Sequence, residues 1–317
     1  MSLAHLPTPL EPLPRLGAHL GLDDLWVKRD DLTGLALGGN KARKLELLLA
    51  DALAQGADTL VTGGGPQSNH ARITAAAAAT AGLECHLALA GPPPAHTDGN
   101  LLLDHLLGAT LHFEGAIDYY DIERDIETVA ARLAADGRRP YAIPVGGASV
   151  IGAAAYALAI PELDAQLEAL GREHFDWIVV ADGSGGTQAG LLAGLGTSPT
   201  RVLGVDVGTR PDLDTAVPDL ARATAEHLEW TIDLGPTIVD HDHVGRAYGW
   251  ATDGAVAAMR AAARTEGLIL DPVYSAKAMD ALTTQAADGR VGGRVLFWHT
   301  GGAPAMFAQE FERPLTR

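Results

Sequence analysis

The chain has 317 residues, 47% of them apolar, and carries a formal charge of −17. That length fills one large domain or two smaller ones around a sizeable core. The acidic balance excludes nucleic acid as a partner, because no Lys/Arg cluster longer than "KARK" offers phosphates a basic face. No apolar run reaches the length of a bilayer span, and the opening "MSLAHLPTPLEPLPRL" lacks the basic-then-apolar order of a secretory leader, so a soluble cytoplasmic protein is expected.

In chain order, the first informative stretch is "GLALGGNKARKLE", residues 34–46. Leu45, Leu48, Leu49 and Ala52 recur at helical spacing, which predicts a helix that starts at Lys41 with Asn40 as its N-cap. A nucleotide P-loop requires Gly-Lys-Ser/Thr in direct succession, whereas Asn40 separates Gly39 from Lys41 and Ala42 follows. A cation at a helix start opposes the dipole. Lys41 is therefore either a solvated charge or a reactive amine, and Lys44 is expected a turn away on another face.

Strand-like apolar runs then alternate with helical stretches: "DTLVTGG", "CHLALAG", "ATLHFEG", "RPYAIPVGG", "DWIVVADG", "RVLGVDVG" and "RVLFWHTGG". The alternation predicts an α/β protein with mainly parallel open sheets. Several runs end in glycine before a helix, and ligands of such sheets bind at the carboxyl ends of the strands. The single cysteine, Cys85, excludes an internal disulfide framework and reads as strand packing. The helical stretch around "ASVIGAAAYALAIPELDAQLEAL", interrupted at Pro161, separates two groups of strands and suggests two sheets and two domains.

Three strand ends carry candidate chemistry. "TGGGPQSNHAR" presents Gln67, Ser68, Asn69 and His70, which can offer hydroxyl, amide and N–H groups to a carboxylate or simply cap a helix. "VVADGSGGTQAGL" sets Gly183, Ser184, Gly185, Gly186 and Thr187 before a helix, where free N–H groups and the helix end favour a phosphate. A dinucleotide competes there, with Asp206 near the distance of a ribose-binding acid, although Gln188 stands where the third glycine of that fingerprint belongs. "DPVYSAKAM" and "RAYGW" contribute Tyr274 and Tyr248, and "FWHTGGAPAMF" contributes His299 and Thr300. "DHDH", residues 240–243, has alternating ligand types but no second cluster and reads as a solvated loop. The lack of a G-x-S-x-G elbow argues against a Ser-His hydrolase.

Taken together, "GGNKARKLE", "QSNHAR", "GSGGTQAGL", "DPVYSAKAM" and "HTGGAPAMF", in this order, resemble the pyridoxal-phosphate family that contains D-cysteine desulfhydrase, L-cysteate sulfo-lyase and 1-aminocyclopropane-1-carboxylate deaminase. The resemblance implies the fold of the tryptophan synthase β-subunit (fold type II), with a small domain, 49–157, inserted in a large one, 1–48 and 158–317, and with pyridoxal 5′-phosphate in the cleft. It implies that Lys41 holds the cofactor aldehyde and moves the substrate's Cα proton, and that Gly183 to Thr187 take the phosphate. Asn69 would bond the ring hydroxyl, Ser68 would bind the substrate carboxylate beside His70, and Thr300 would face the ring nitrogen. Tyr274 would pack near the ring and assist proton transfers with Tyr248. The implied protein is a homodimer acting on a small amino acid. β-Elimination from D-cysteine is expected first, because the deaminase pattern has an acid directly after the tyrosine and glutamine after "SN", where this chain has Ser275 and His70. L-cysteate and the cyclopropane amino acid are the rivals within the family. A nicotinamide-dependent oxidoreductase and a non-catalytic small-ligand binder are the rivals outside it.

Overall fold

The computed structural model describes residues 2–309 and 311. The strands in chain order are β1 (Leu10–Pro12), β2 (Asp24–Arg29), β3 (Thr59–Gly64), β4 (Glu84–Leu89), β5 (Thr110–His112), β6 (Pro140–Ala142), β7 (Trp177–Asp182), β8 (Arg201–Asp206), β9 (Ile238–Asp240) and β10 (Arg294–His299). They form a six-stranded sheet, β1-β2-β10-β7-β8-β9, and a four-stranded sheet, β5-β4-β3-β6. Every pairing is parallel except β1 with β2. The helices are α1 (Pro14–Leu20), α2 (Lys41–Ala54), α3 (Asn69–Ala81), α4 (Gly99–Leu106), α5 (Tyr119–Ala135), α6 (Val150–Ala157), α7 (Ala159–Ala169), α8 (Gly186–Leu195), α9 (Leu213–His227), α10 (Asp253–Glu266) and α11 (Ser275–Ala287).

Both faces of both sheets are covered. In the larger sheet Val27, Val179, Val205 and Phe297 pack on the side of α1, α10 and α11, while Ile178, Val180, Leu296 and Trp298 pack on the side of α6 to α8. In the smaller sheet Leu60 and Leu87 face α2 and α3, whereas Val61 and Ala88 face α5. All seven expected runs are strands; the inner ones such as β3 and β7 read as continuous apolar runs because they are buried on both faces, whereas β5 and β6 are short, partly exposed edge strands. β2, "DLWVKR", mixes buried and half-buried positions, and β1 and β9 are three-residue edge strands, so none of these carries that signal.

Residues 150–169, spanned by α6 and α7, do have the length and mean hydropathy of a bilayer crossing, contrary to the sequence reading, but just over half of this stretch is buried inside the fold. Tyr156, Ile160 and Leu163 belong to the core beneath the larger sheet, and Glu162 pairs with Lys28 and Arg43. Cys85, 5% exposed on β4, is packing as expected, and burial pushes its thiol pKa far up. The 240–243 segment brings no group of metal-ligand side chains together among the described residues. Asp240 is buried rather than solvated and accepts from His243 Nδ1 (2.7 Å) and Gln285 Nε2 (2.6 Å).

Candidate active site

The carboxyl ends of β3, β7, β8 and β10 converge on a cleft of about 400 Å³. Lys41, Ser68, Asn69, His70, Gly183, Ser184, Thr187, Tyr248, Tyr274 and Thr300 all line it. Gly185 and Gly186 do not; they sit behind the wall, where the chain turns into α8.

Lys41 is the first residue of α2 and projects from a tightly folded glycine loop. Gly38 and Gly39 have φ of +73° and +125°, and a Cβ at Gly38 would lie 2.1 Å from the Asp31 carbonyl oxygen, so both positions require glycine. The buried Arg72 clamps this loop by donating to the carbonyls of Ala36 and Gly38. Asn40 occupies the N-cap position without capping; its side-chain amide donates to Thr187 Oγ1 (3.2 Å) and ties the lysine loop to the α8 loop. Burial lowers the Lys41 pKa to about 8, although the charge of Asp182 and a hydrogen bond to Lys44 pull the other way.

Lys44 corrects the sequence reading. It lies on the same face as Lys41, as positions i and i+3 of a helix do, and it is 0% exposed. Its ammonium donates to Gly146 O (3.2 Å) and approaches the start of α8, where a Cβ added to Gly186 would meet Lys44 Nζ at 2.8 Å. Burial, then the neighbouring Lys41, holds its pKa well below that of a free lysine. Asp182, at the end of β7, is the countercharge. Its Oδ1 accepts the Gly185 N–H (2.9 Å), its Oδ2 has no partner among the described residues, and burial raises its pKa to about 6.

On the opposite wall Ser68 caps α3 by accepting the Ala71 N–H (3.1 Å), which leaves its hydroxyl proton for a ligand. Asn69 Oδ1 is held by Asn100 Nδ2 (2.9 Å) and Arg72 (3.4 Å), so the Asn69 amide N–H groups are its remaining donors. The tautomer of His70 follows from its partners. Thr62 Oγ1 must give its single proton to the Ile143 carbonyl (2.8 Å), so the 2.9 Å contact with His70 Nε2 is donated by the ring. Nδ1 therefore carries a lone pair, and it has no partner among the described residues. Burial, with Lys41 and Lys44 close by, keeps the imidazole pKa well below the ordinary value.

Tyr274 and Tyr248 meet through their hydroxyls (2.5 Å), the first at the start of α11 and the second on the 244–249 turn. The "DPVYS" turn is organised by Asp271, whose carboxylate accepts the N–H groups of Val273 (3.0 Å), Tyr274 (2.9 Å) and Ser275 (2.7 Å) and the Ser275 hydroxyl (2.6 Å). Ser275 is thereby occupied outside the cleft. Burial, reinforced by Tyr248, raises the Tyr274 pKa well above 10, so the phenol stays protonated.

Sequence reasoning passed over Lys44, Asp182, Thr209, Asp118 and Tyr119. Asp182 was the most findable, as the acid between a buried strand and a glycine turn; Asp118 and Tyr119 reach the cleft only because α5 packs on the small sheet.

Comparison with known proteins accords with this arrangement. Residues 1–301 match the model of a family described as "Pyridoxal-phosphate dependent enzyme". The chain belongs to that family. A curated relative from Pyrococcus horikoshii, named "Putative 1-aminocyclopropane-1-carboxylate deaminase", is 41% identical over 303 residues, covering 95% of this chain and 90% of that one. A crystal structure described as an ACC deaminase homologue superposes with a TM-score of 0.92 at 39% identity, over 99% of this chain and 94% of the other. A fungal L-serine ammonia-lyase from Rhizomucor miehei (TM-score 0.70, 15% identity, 100% and 99% covered) and threonine deaminase isoform 2 of Solanum lycopersicum (0.69, 16%, 99% and 83%) share the fold. The protein is thus a fold type II, pyridoxal-phosphate-dependent lyase or deaminase, and the nicotinamide and non-catalytic readings fall.

The cleft of this pyridoxal-phosphate enzyme has what the cofactor needs. Lys41 is a half-buried amine whose pKa is lowered to about 8. The first N–H groups of α8 have no acceptor within the helix, and the buried Thr209 Oγ1 has no partner among the described residues. A Cβ on Gly183 would sit 2.8 Å from that oxygen and 3.4 Å from the Tyr274 ring, so glycine there keeps open the space a phosphate would take.

Proposed function

We propose that this enzyme eliminates a small sulfur group from Cβ of an amino acid, with D-cysteine its preferred substrate: D-cysteine and water give pyruvate, hydrogen sulfide and ammonia. The observation that carries the reading is Lys41, a half-buried amine of lowered pKa in the cleft wall, set among Asp182, Lys44 and the start of α8. Bound pyridoxal phosphate supplies an electron sink that makes the substrate's Cα proton removable.

The roles of the chain's own residues follow from their free valences. Lys41 binds the cofactor aldehyde and afterwards removes the Cα proton. The start of α8, with Ser184, Thr187 and Thr209, takes the phosphate, and Lys44 adds positive charge behind it. The Asn69 amide donates to the ring oxygen, the Ser68 hydroxyl binds the substrate carboxylate, and Thr300 stands at the ring nitrogen. The Tyr274–Tyr248 pair supplies a proton at the cleft wall. The large domain, 1–48 and 158–317, and the small one, 49–157, close around these groups.

Two features favour a thiol-bearing substrate. Among the described residues neither Arg nor Glu lines the cleft, and His70 presents a neutral lone pair rather than a charged donor, so a sulfonate meets no guanidinium or imidazolium from them. Beside Tyr274 stands Ser275, held by Asp271, instead of a carboxylate to assist ring opening. The test is a screen of D- and L-cysteine, L-cysteate, D-serine, β-chloroalanine and the cyclopropane amino acid. Sulfide and pyruvate from D-cysteine at the highest kcat/KM are expected. A higher kcat/KM for sulfite from L-cysteate, or for ketobutyrate from the cyclopropane acid, overturns the substrate assignment.

A further inference from the structure

Lys277 has no part in the chemistry above, yet it is an ammonium buried to 0% exposure. It donates to two main-chain oxygens, Val244 O at 2.7 Å and Val207 O at 3.3 Å. Burial lowers its pKa to about 8, with Asp206 and Asp271 acting in the other direction. A bare charge in such a place needs a reason, because an aliphatic side chain would pack there without the desolvation penalty.

The reason lies in what the two carbonyls belong to. Val207 follows β8 directly and leads into Gly208 and Thr209, both in the cleft wall. Val244 begins the turn that brings Ala247 and Tyr248 to the same wall. The two turns are in contact, since a Cβ at Gly208 would lie 2.7 Å from Val244 Cγ1 and 3.2 Å from the Tyr248 nitrogen. Lys277 itself sits three residues beyond Tyr274, in the first turn of α11. Two carbonyl oxygens directed at one point repel each other unless a cation lies between them, and this cation is anchored to the helix that bears Tyr274.

We infer that Lys277 is a positioning residue whose ammonium pins the 244–248 turn to the 207–209 turn and so holds Tyr248 against Tyr274. The inference rests on the proton-delivery role proposed above for the tyrosine pair. Removing the cation releases the turn and lengthens the contact between the hydroxyls, and a misplacement of about 1 Å costs on the order of 100-fold in rate.

The experiment uses the holoenzyme, with Lys277→Met, which keeps the volume, and Lys277→Ala, which leaves room for a small amine. Amide hydrogen exchange in 244–249 is expected to quicken in both, while cofactor absorbance is retained. kcat on D-cysteine is expected to fall about 10- to 100-fold with KM changed less than about 3-fold. Propylammonium should restore slow exchange and part of kcat in Lys277→Ala and do nothing for Lys277→Met, which has no space for it. Should Lys277→Ala fold only with the amine present, the Lys277→Met comparison carries the test. Exchange in 244–249 that stays at the parent rate overturns the tether, whatever the substrate proves to be. Faster exchange with unchanged kcat overturns the positioning role. A parent enzyme inactive on the whole amino-acid screen, with amine-restored exchange in Lys277→Ala, supports the tether and sinks the elimination reading alone.

Discussion

Helix α2 carries two cationic regions within its first turn, Arg43 on one side and Lys41 with Lys44 on the other, and they are built on opposite terms. On one side Arg43 is compensated in full: it bonds both oxygens of Asp30 (2.9 and 3.0 Å) and both of Glu162 (2.8 Å each), while Tyr156 and Trp298 also donate to Asp30. Burial favours neutral groups there, but the opposite charges prevail; the Asp30 pKa ends below its ordinary value and that of Arg43 above. On the other side Lys41 and Lys44 share one carboxylate, Asp182, and all three pKa values move toward neutrality. Compensated buried charge gives a rigid anchor, and under-compensated buried charge gives groups that exchange protons at working pH.

Mutations should separate the two regions cleanly. The largest effect is expected from Lys41→Ala, which should abolish the lysine-bound cofactor colour and lower turnover by at least about 10⁴-fold with little change in the melting temperature. Retention of near-parental activity would remove Lys41 from the mechanism. Arg43→Met should do the reverse. It strands Asp30 and should cost about 3–5 kcal/mol of stability, read by urea unfolding, while the surviving folded fraction keeps its specific activity.

Gly186→Val comes next, because the added side chain would displace Lys44 Nζ; cofactor affinity should fall about tenfold, measured by fluorescence titration. A rise or no change would detach Lys44 from the cofactor.

The smallest effects are in pH dependence. Asp30 has a depressed folded pKa, so its contribution is present above the unfolded value of 3.8 and lost as pH falls through the folded one. The stability gap between the parent and Arg43→Met should therefore narrow on acidification. Lys41 titrates at about 8 in the fold and at 10.5 when unfolded, so between these values the unfolded chain holds more protons and stability rises with pH. Unfolding of the cofactor-free protein between pH 8 and 10.5 should show that slope, and Lys41→Met should reduce it, leaving the parts that Lys44 and Lys277 contribute.

The contrast also explains what the sequence could convey. Strands of both sheets were legible because burial on two faces leaves runs such as "WIVVAD" and "TLVTGG" without polar interruption. Lys41, Ser68 and the Gly183 turn were legible because each lies where a glycine-bearing loop enters a helix, with residues the helix does not need for packing. Lys44 was misplaced for the opposite reason. As a lysine one turn into an amphipathic helix it has the look of a solvated charge, and the 145–147 turn, Tyr156 of α6 and the start of α8, all more than 100 residues further on, close over it. Asn40 has the residue type of a cap but a helical ψ of −25°, and Thr187 claims its amide. Asp118 and Tyr119 depend on how α5 docks, which no local pattern records.

Cys85 has a practical use beyond its place in the core. A lone thiol that is both shielded and held protonated should be silent toward maleimides, so the protein offers a blank background for site-directed probes. Ile117, 86% exposed at the rim of the cleft, is a natural position for an introduced cysteine. A fluorophore there would report substrate entry into the cleft, in real time and without editing the native thiol.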